Sequence, residues 1–331
     1  MQRIFVTGGA GFIGAHLCAR LAAEGHEVRA LDNFKFCYDA RLPSNFAEDI
    51  AFRMDVLLAG SSLVQCCLSE KRRLGLAIAE FAPQCIVHLA AVPLVAYATR
   101  HEEYAARVMA EGLLNLLEIV REMPSVERLV FVSSSMVYGD FTRDPMPEDV
   151  DLDPVNTYGG LKLAGEVLAK SYLRRTPTEV AIVRPSCVYG PADVHSRVVR
   201  KFCEAALAGE PILLNAVNDH IMDFTHVDDL TQGLALAALH PGAAGETFNI
   251  TYGQGRHLSE LVDILARYAP EIHRNDDPIE DGDRPRRGSL SIEKARAKLG
   301  YAPRIDLATG IASYLEWLQP GSTRLAAVQA Q

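Results

Sequence analysis

The sequence predicts an α/β fold: a doubly wound parallel sheet with a smaller, mixed C-terminal domain. Short apolar runs alternate with stretches of helical spacing through the first 184 residues, the pattern of repeated β-α-β units. A glycine-rich turn stands between the first apolar run and the first helical stretch. Near residue 185 the composition changes, and Pro185, Gly190, Pro191, Gly209 and Pro211 break the chain into shorter pieces.

The elements follow in chain order. Residues 3–6 form a first strand, and residues 11–24 place Ile13, Leu17 and Leu21 on one face of a helix. Residues 27–31 form a second strand. Phe52-Arg53-Met54 reads as a third, ending at Asp55 and Val56. Residues 85–89, 128–132 and 180–183 are further strands, and 111–121 a helix. Such near-continuous runs of Val, Ile, Leu and Phe fit strands covered on both faces. Residues 223–250 look like a helix and a strand that return to the first domain. The expected division is therefore 1–184 with a return segment at about 223–250, then 185–222 with 251–316, then a tail at 317–331. Residues 275–287 hold eight charged residues and read as loop.

The net charge of −9 is spread along the chain, and no basic stripe offers itself to nucleic acid. Seven cysteines, at 18, 37, 66, 67, 85, 187 and 203, form no paired CxxC set, so no metal site is expected. Their odd number argues against a disulfide framework and for a reducing compartment. No charged leader precedes a long apolar stretch, and no run reaches the length of a membrane span. The expectation is a soluble cytoplasmic protein without a membrane partner.

Val6-Thr7-Gly8-Gly9-Ala10-Gly11-Phe12-Ile13-Gly14 leaves a strand and opens a helix. Gly8 permits the tight turn, Gly11 lets backbone N–H groups approach a pyrophosphate, and Gly14 lets helix and strand pack closely. The helix N-terminus, with Phe12 and Ile13, offers unpaired N–H groups to the anion. This is the phosphate turn of a Rossmann-type dinucleotide-binding domain. Asp32 ends the second strand 18 residues after Gly14. Its carboxylate can accept from both adenosine-ribose hydroxyls and would repel a 2′-phosphate, which selects NAD over NADP. Asn33 follows it, and Asp55 with Val56 is expected at the adenine.

Tyr158-Gly-Gly-Leu-Lys162 puts a phenol and an ammonium four residues apart on one helix face. A cation beside a phenol favours phenolate, which suits proton transfer near neutral pH. Upstream, Ser133-Ser134-Ser135-Met136-Val137-Tyr138-Gly139 leaves a strand at its carboxyl end, where ligands sit in such sheets.

With these pieces the chain resembles the extended short-chain dehydrogenase/reductases, and within them the NAD-dependent nucleotide-sugar epimerases and dehydratases. The resemblance runs over about residues 1–316. It is carried by the glycine turn, Asp32-Asn33, His88-Leu-Ala-Ala91, Ser133 to Gly139, Tyr158-x-x-x-Lys162, Arg184-Pro-Ser-Cys-Val-Tyr-Gly-Pro191 and Asp223-Phe-Thr-His-Val-Asp-Asp229. It implies a homodimer, bound NAD, and a nucleotide sugar held by the C-terminal domain. It implies that Tyr158 takes a proton from a sugar hydroxyl while hydride moves to NAD, that Lys162 holds the nicotinamide ribose, and that Ser134 polarises the reacting C4 oxygen. Leu89, Ala90, Ala91 and Pro185 would line the cofactor, and Ser134, Ser135, Cys187 and Arg287 the substrate.

Several positions depart from the family's pattern. The 4,6-dehydratases carry Asp-Glu where this chain has Ser135-Met136, and a thioether cannot move a proton. Cys187, Met222 and Met109 replace an Asn, an Arg and an Asn of the family's pattern. The Arg that Met222 replaces is a bidentate phosphate clamp. Arg287 or its neighbour Arg286 can stand in for it, as can Arg197, Arg200 and Lys201. Epimerisation at C4 is thus the expected reaction. Net oxidation or reduction of a modified sugar is second, and a non-catalytic NAD-binding protein third.

Overall fold

The computed structural model describes residues 1–37, 42–43, 45–212, 214–215, 220–268, 274–275 and 285–319. Among the described residues there are twelve strands: β1 Arg3–Thr7, β2 Glu27–Asp32, β3 Ser62–Gln65, β4 Cys85–His88, β5 Arg128–Val132, β6 Glu179–Arg184, β7 Cys187–Tyr189, β8 Leu214–Asn215, β9 Ile221–His226, β10 Thr247–Asn249, β11 Gly255–His257 and β12 Arg274–Asn275. Seven form one parallel sheet in the order β10-β6-β5-β4-β1-β2-β3. The strand order reverses between β1 and β4, and the crevice outside their carboxyl ends is where such a sheet takes a ligand.

Period-two alternation makes the two faces. Ile4, Val6, Val87, Val130 and Val132 enter one apolar core with the helices Phe12–Ala23 and Val227–Leu239. Phe5, Leu31, Ile86, Leu129 and Phe131 enter the other with Lys71–Phe81 and Gly112–Arg121. Coverage on both sides is why these strands read as unbroken apolar runs.

A smaller sheet, β11-β9-β7, carries the second part of the molecule. It mixes a parallel pair, β7 with β9, and an antiparallel pair, β9 with β11. Beneath it Phe202, Leu261, Val262, Ile311 and Tyr314 form a third core. The segment expected to return as a unit is divided. β9 stays in the small sheet, and the following helix delivers β10 to the edge of the large one, Phe248 against Val183. Trp317 and Leu318, expected in the tail, finish the helix Leu307–Leu318; the tail from residue 320 lies outside the described residues, as does most of the charged loop, 276–284.

The third strand is a correction. Residues 46–57 are helical, in two consecutive stretches Phe46–Ala51 and Phe52–Leu57, and Asp55 and Val56 lie in the second. Ile50, Met54, Leu57 and Leu58 fall at helical spacing, so the apolar run belongs to a helix face rather than to a strand. The strand comes after the Gly60-Ser61 turn, and its ladder pairs Asp32 with Gln65. No helix among the described residues is long and apolar enough to cross a membrane, and no cluster there of three or more His, Cys, Asp or Glu could hold a metal.

Candidate active site

A cleft of about 390 Å³ opens at the carboxyl ends of β1, β2 and β4. Gly8, Gly11, Phe12, Ile13, Gly14, Asp32, Asn33, Leu89, Ala90 and Ala91, the residues expected at the cofactor, line it. Two glycines are fixed by geometry. Gly8 has φ +70°, and a Cβ there would stand 2.8 Å from the Ala90 nitrogen. A Cβ on Gly14 would stand 2.1 Å from the Gly8 carbonyl oxygen, so only hydrogen lets the helix start this close to the turn. The helix Phe12–Ala23 has no side-chain cap, which leaves its first N–H groups to face the cleft. Asp32 is oriented from both sides. Its Oδ1 accepts from Phe34 N–H at 2.9 Å and its Oδ2 from Ala10 N–H at 3.2 Å. Burial raises its pKa, and those backbone donors oppose the shift. A glycine cradle, a bare helix end and an aimed carboxylate fit the diphosphate and ribose of NAD.

Asp55 and Val56 do not reach this cleft. Their place at the end of the third strand is taken by Cys66, Cys67 and Leu68, which the sequence pattern did not single out. The Gly60-Ser61-Ser62 turn ahead of Leu63-Val64 was the available signal. Arg53, His195 and Arg197 also line the cleft. Arg53 is buried and donates from Nε to the Ala192 carbonyl at 2.9 Å and from Nη1 to that of Ala10 at 3.4 Å. It thereby joins the glycine turn to the start of the smaller part of the molecule.

The proton-transfer groups stand on two adjoining elements. Tyr158 and Lys162 lie on the helix Thr157–Leu173, whose Asn156 cap accepts from Gly159 N–H at 2.9 Å. Ser134 follows β5, and its Oγ accepts from Met136 N–H at 3.2 Å. Ser134 acts on the Tyr158 phenol. Burial pushes that phenol up, while Arg197, Ser134 and Arg287 pull it back. Lys162 lies one turn on from the phenol, on the same helix. Its Nζ donates to the Val132 carbonyl at 2.8 Å and stands 5.9 Å from the Tyr158 ring centre. Burial lowers its pKa to about 8, against the pull of Glu166. Arg197 and Arg287 are the cations that lower the phenol's pKa.

Behind these groups a buried network fixes the serine loop. Arg184 donates to both oxygens of Glu166, at 2.9 and 2.7 Å, and to the Tyr138 hydroxyl at 3.0 Å. Tyr138 donates to Asn249 Oδ1 at 2.7 Å. His88 is buried and uncharged, its pKa lowered to about 3 by burial and then by Lys162, and its Nδ1 meets Thr7 Oγ1 at 2.8 Å. Pro185 accepts from Ser135 N–H at 2.8 Å, and the Ser135 hydroxyl is buried against that of Ser186, so Ser135 shapes the loop from within.

The substrate side is less polar. Cys187 is half-buried on β7, its thiol pushed up to about 11 by burial against the pull of Arg287 and Arg197. Met222 packs on the third core, and Met109 shares an apolar cluster with Tyr158 and Leu161. Arg287 donates to the Met136 sulfur. Arg197 pairs with Asp193 at 3.0 Å, and Arg200 is buried on Asp49 at 2.6 Å. Lys201 is exposed on the helix Val198–Ala208. Of the basic residues that could replace the missing clamp, Arg197 and Arg287 act on the Tyr158–Cys187 region.

The NAD dependent epimerase/dehydratase family matches residues 4–251. The chain is 33% identical to a UDP-glucose 4-epimerase of Mycolicibacterium smegmatis, over 96% of this chain and 99% of that one. It is 30% identical to UDP-glucuronate 4-epimerase 4 of Arabidopsis thaliana, over 95% of this chain and 74% of that one. Among solved structures it superposes on the UDP-glucose 4-epimerase of Thermotoga maritima with UDP-glucose, with a TM-score of 0.83, 27% identity and coverage of 95% and 98%. It also superposes on the Thermus thermophilus UDP-glucose 4-epimerase complex with NAD, with a TM-score of 0.79, 28% identity and the same coverage. On a seven-stranded sheet with a glycine cradle, an aimed Asp32 and a converging Ser134, Tyr158 and Lys162, the chain belongs to the NAD-dependent epimerase/dehydratase family.

Proposed function

We propose that the protein is an NAD-dependent 4-epimerase of a nucleotide-activated sugar, of the UDP-linked class named for its relatives. The observation that carries the proposal is Tyr158 on the first turn of its helix, with Lys162 Nζ 5.9 Å from its ring centre and Ser134 among the groups acting on its phenol, beside the cleft that fits NAD. Gly8, Gly11, Gly14, Asp32, Asn33 and Leu89 to Ala91 hold the cofactor, with Pro185 and Lys162 at its nicotinamide end. NAD, when bound, supplies the acceptor for the C4 hydride and gives the hydride back.

This chain's own residues do the rest. The Met136 N–H binds Ser134 Oγ as acceptor and so leaves its hydroxyl proton to donate to the reacting oxygen. Tyr158 accepts the C4 hydroxyl proton, with Arg197 and Arg287 favouring its charged form. Ser134 then donates to the C4 ketone, and Tyr158 returns the proton once the ring presents its other face. Met136 offers no acid or base, which keeps the sequence to redox at C4. Arg287 supplies the charge for the substrate's diphosphate that the Met222 thioether cannot. With this reading go a homodimer and a cytoplasmic location, the latter supported by an odd number of cysteines that suits a reducing compartment.

The test is proton NMR of purified protein with UDP-glucose, UDP-glucuronate and related sugars, and ultraviolet analysis of what denaturation releases. C4 epimers and released NAD are expected. A steady change at 340 nm with consumption of added cofactor would point instead to net oxidation or reduction. Size-exclusion chromatography with light scattering tests the dimer.

A further inference from the structure

Residues 286–291 belong to no helix or strand beyond a single bridge, yet they carry Arg287, the cation that reaches the serine loop. What holds them is the continuation of that same loop. Phe141 N–H donates to the Arg286 carbonyl at 2.9 Å, Met146 N–H to that of Ser289 at 2.9 Å, and Ser291 N–H to that of Met146 at 2.8 Å. The two segments run in parallel, with Met146 bridging Leu290. Val137, Tyr138, Met146 and Leu290 share one buried apolar cluster beneath them.

Aspartates take the N–H groups that this ladder leaves over. Arg286 N–H donates to Asp140 Oδ1 at 2.7 Å, Ser289 N–H to Asp144 Oδ1 at 3.0 Å, and Leu290 N–H to Asp223 Oδ2 at 3.1 Å. The Ser289 hydroxyl donates to Asp144 Oδ1 as well. Gly288 lets that carboxylate come close, since a Cβ there would stand 3.1 Å from Asp144 Cγ. Ser289 is buried and Asp144 exposed, so the contact satisfies a buried N–H without burying a charge. Arg287 stands between these anchors, and its side chain reaches Met136. A long side chain on an irregular segment loses affinity to its own freedom unless the backbone beneath it is fixed.

We propose that Asp144 is a positioning residue for the substrate: by holding Ser289 to the end of the serine loop, it sets the Arg287 guanidinium for the diphosphate of the nucleotide sugar. The inference rests on the function proposed above, in which Arg287 meets that diphosphate. Asp144 itself touches no substrate and acts through the backbone of 287–289. It ties the arginine to the segment that carries Ser134, so the grip on the phosphates and the placement of the reacting C4 oxygen share one support.

The probe is UDP, titrated by calorimetry into purified protein with NAD present, alongside steady-state kinetics on a UDP-sugar that is turned over. Arg287→Met should raise the Kd for UDP about 10- to 100-fold, the worth of a hydrogen bond to a charged group. Asp144→Ala should raise it about 10-fold, and should raise KM by more than it lowers kcat. The double variant should bind UDP no more weakly than Arg287→Met alone. Asp144→Asn keeps the acceptor oxygen for both Ser289 donors, so it should bind UDP as the parent does. NAD binding, followed by equilibrium dialysis, should be the same in every variant. Parental UDP binding by Asp144→Ala, losses that add in the double variant, or failure of Asp144→Asn to rescue would each overturn the inference while leaving the epimerase proposal intact. So would a loss of NAD binding in Asp144→Ala, which would give Asp144 a general part in the fold. Absence of turnover in a parent protein whose UDP binding responds as expected would overturn the epimerase reading alone.

Discussion

At the scale of single residues the strongest expectation concerns Tyr158. Its hydroxyl is the group proposed to take the C4 proton, so Tyr158→Phe removes the proton acceptor and leaves the glycine cradle and Asp32 untouched. Turnover should fall at least about 100-fold, the ordinary worth of a positioned acid–base group, with NAD still bound when measured by dialysis. Turnover that survives would remove Tyr158 from the chemistry. Lys162 sets a pH limit. Burial brings its pKa from 10.5 down to about 8, so its charge is present below about pH 8 and lost above it. Where the ammonium holds a ribose hydroxyl, kcat/KM should decline on the alkaline side with an apparent pKa near 8. Lys162→Arg keeps its charge through that range. It should lower the plateau but push the alkaline limb upward, and an unmoved limb would assign it to another group. These residues were legible because their spacing is local: a phenol and an ammonium one helical turn apart, and glycines at a turn. His195 was not, since a basic residue on a loop looks the same in sequence whether it faces water or a cleft.

At the scale of elements, the helix Thr157–Leu173 has a task beyond packing, because its first turn carries the phenol. Asn156 Oδ1 on Gly159 N–H fixes that turn. Asn156→Ala should cost about 1 kcal/mol of stability. Fraying there displaces Tyr158 before it unfolds the protein, so kcat should fall more than KM rises. Asn156→Asp, which caps equally well, should restore both; equal loss in Ala and Asp would give Asn156 some other part. The elements also show where the sequence was readable. Strands β1, β2, β4, β5 and β6 lie within a residue or two of their expected bounds, because burial on both faces makes their apolar runs compact. β3 is exposed or only partly buried along its length, so its apolar signal is weak. The stronger run at 50–58 belongs to a helix, and Asp55 followed it away from the cleft. β9 misled for a different reason: its residues suit a buried strand, but which of two sheets it joins depends on partners far along the chain.

At the scale of the whole molecule, the question is what holds the substrate part against the cofactor part. Arg53 contributes one tie through the carbonyls of Ala10 and Ala192. A second passes through Asp49 on the helix Phe46–Ala51. One of its oxygens accepts from Arg200 on the helix Val198–Ala208 at 2.6 Å, and the other from Trp317 Nε1 on the last helix at 3.0 Å. Asp49 and Arg200 are 0% and 1% exposed, so neither can turn to water if its partner is removed. Breaking a buried pair from one side costs about 3–5 kcal/mol, because the remaining charge is left desolvated. Asp49→Ala should lower the melting temperature by about 4–7 °C on that basis. Glu204, which also meets Arg200 at 2.7 Å, is partly exposed and recovers only part of the loss. Replacing both members by apolar groups removes the stranded charge, so Asp49→Ala with Arg200→Met should be more stable than Asp49→Ala alone. If the double variant melts lower still, the tie acts through the Arg200 contacts with Glu204 and Asp193 rather than through the Asp49 pair. Asp49, Arg200 and Trp317 do not line the cofactor cleft. A variant that melts early but binds NAD normally would therefore show that the junction is held independently of the cofactor cradle.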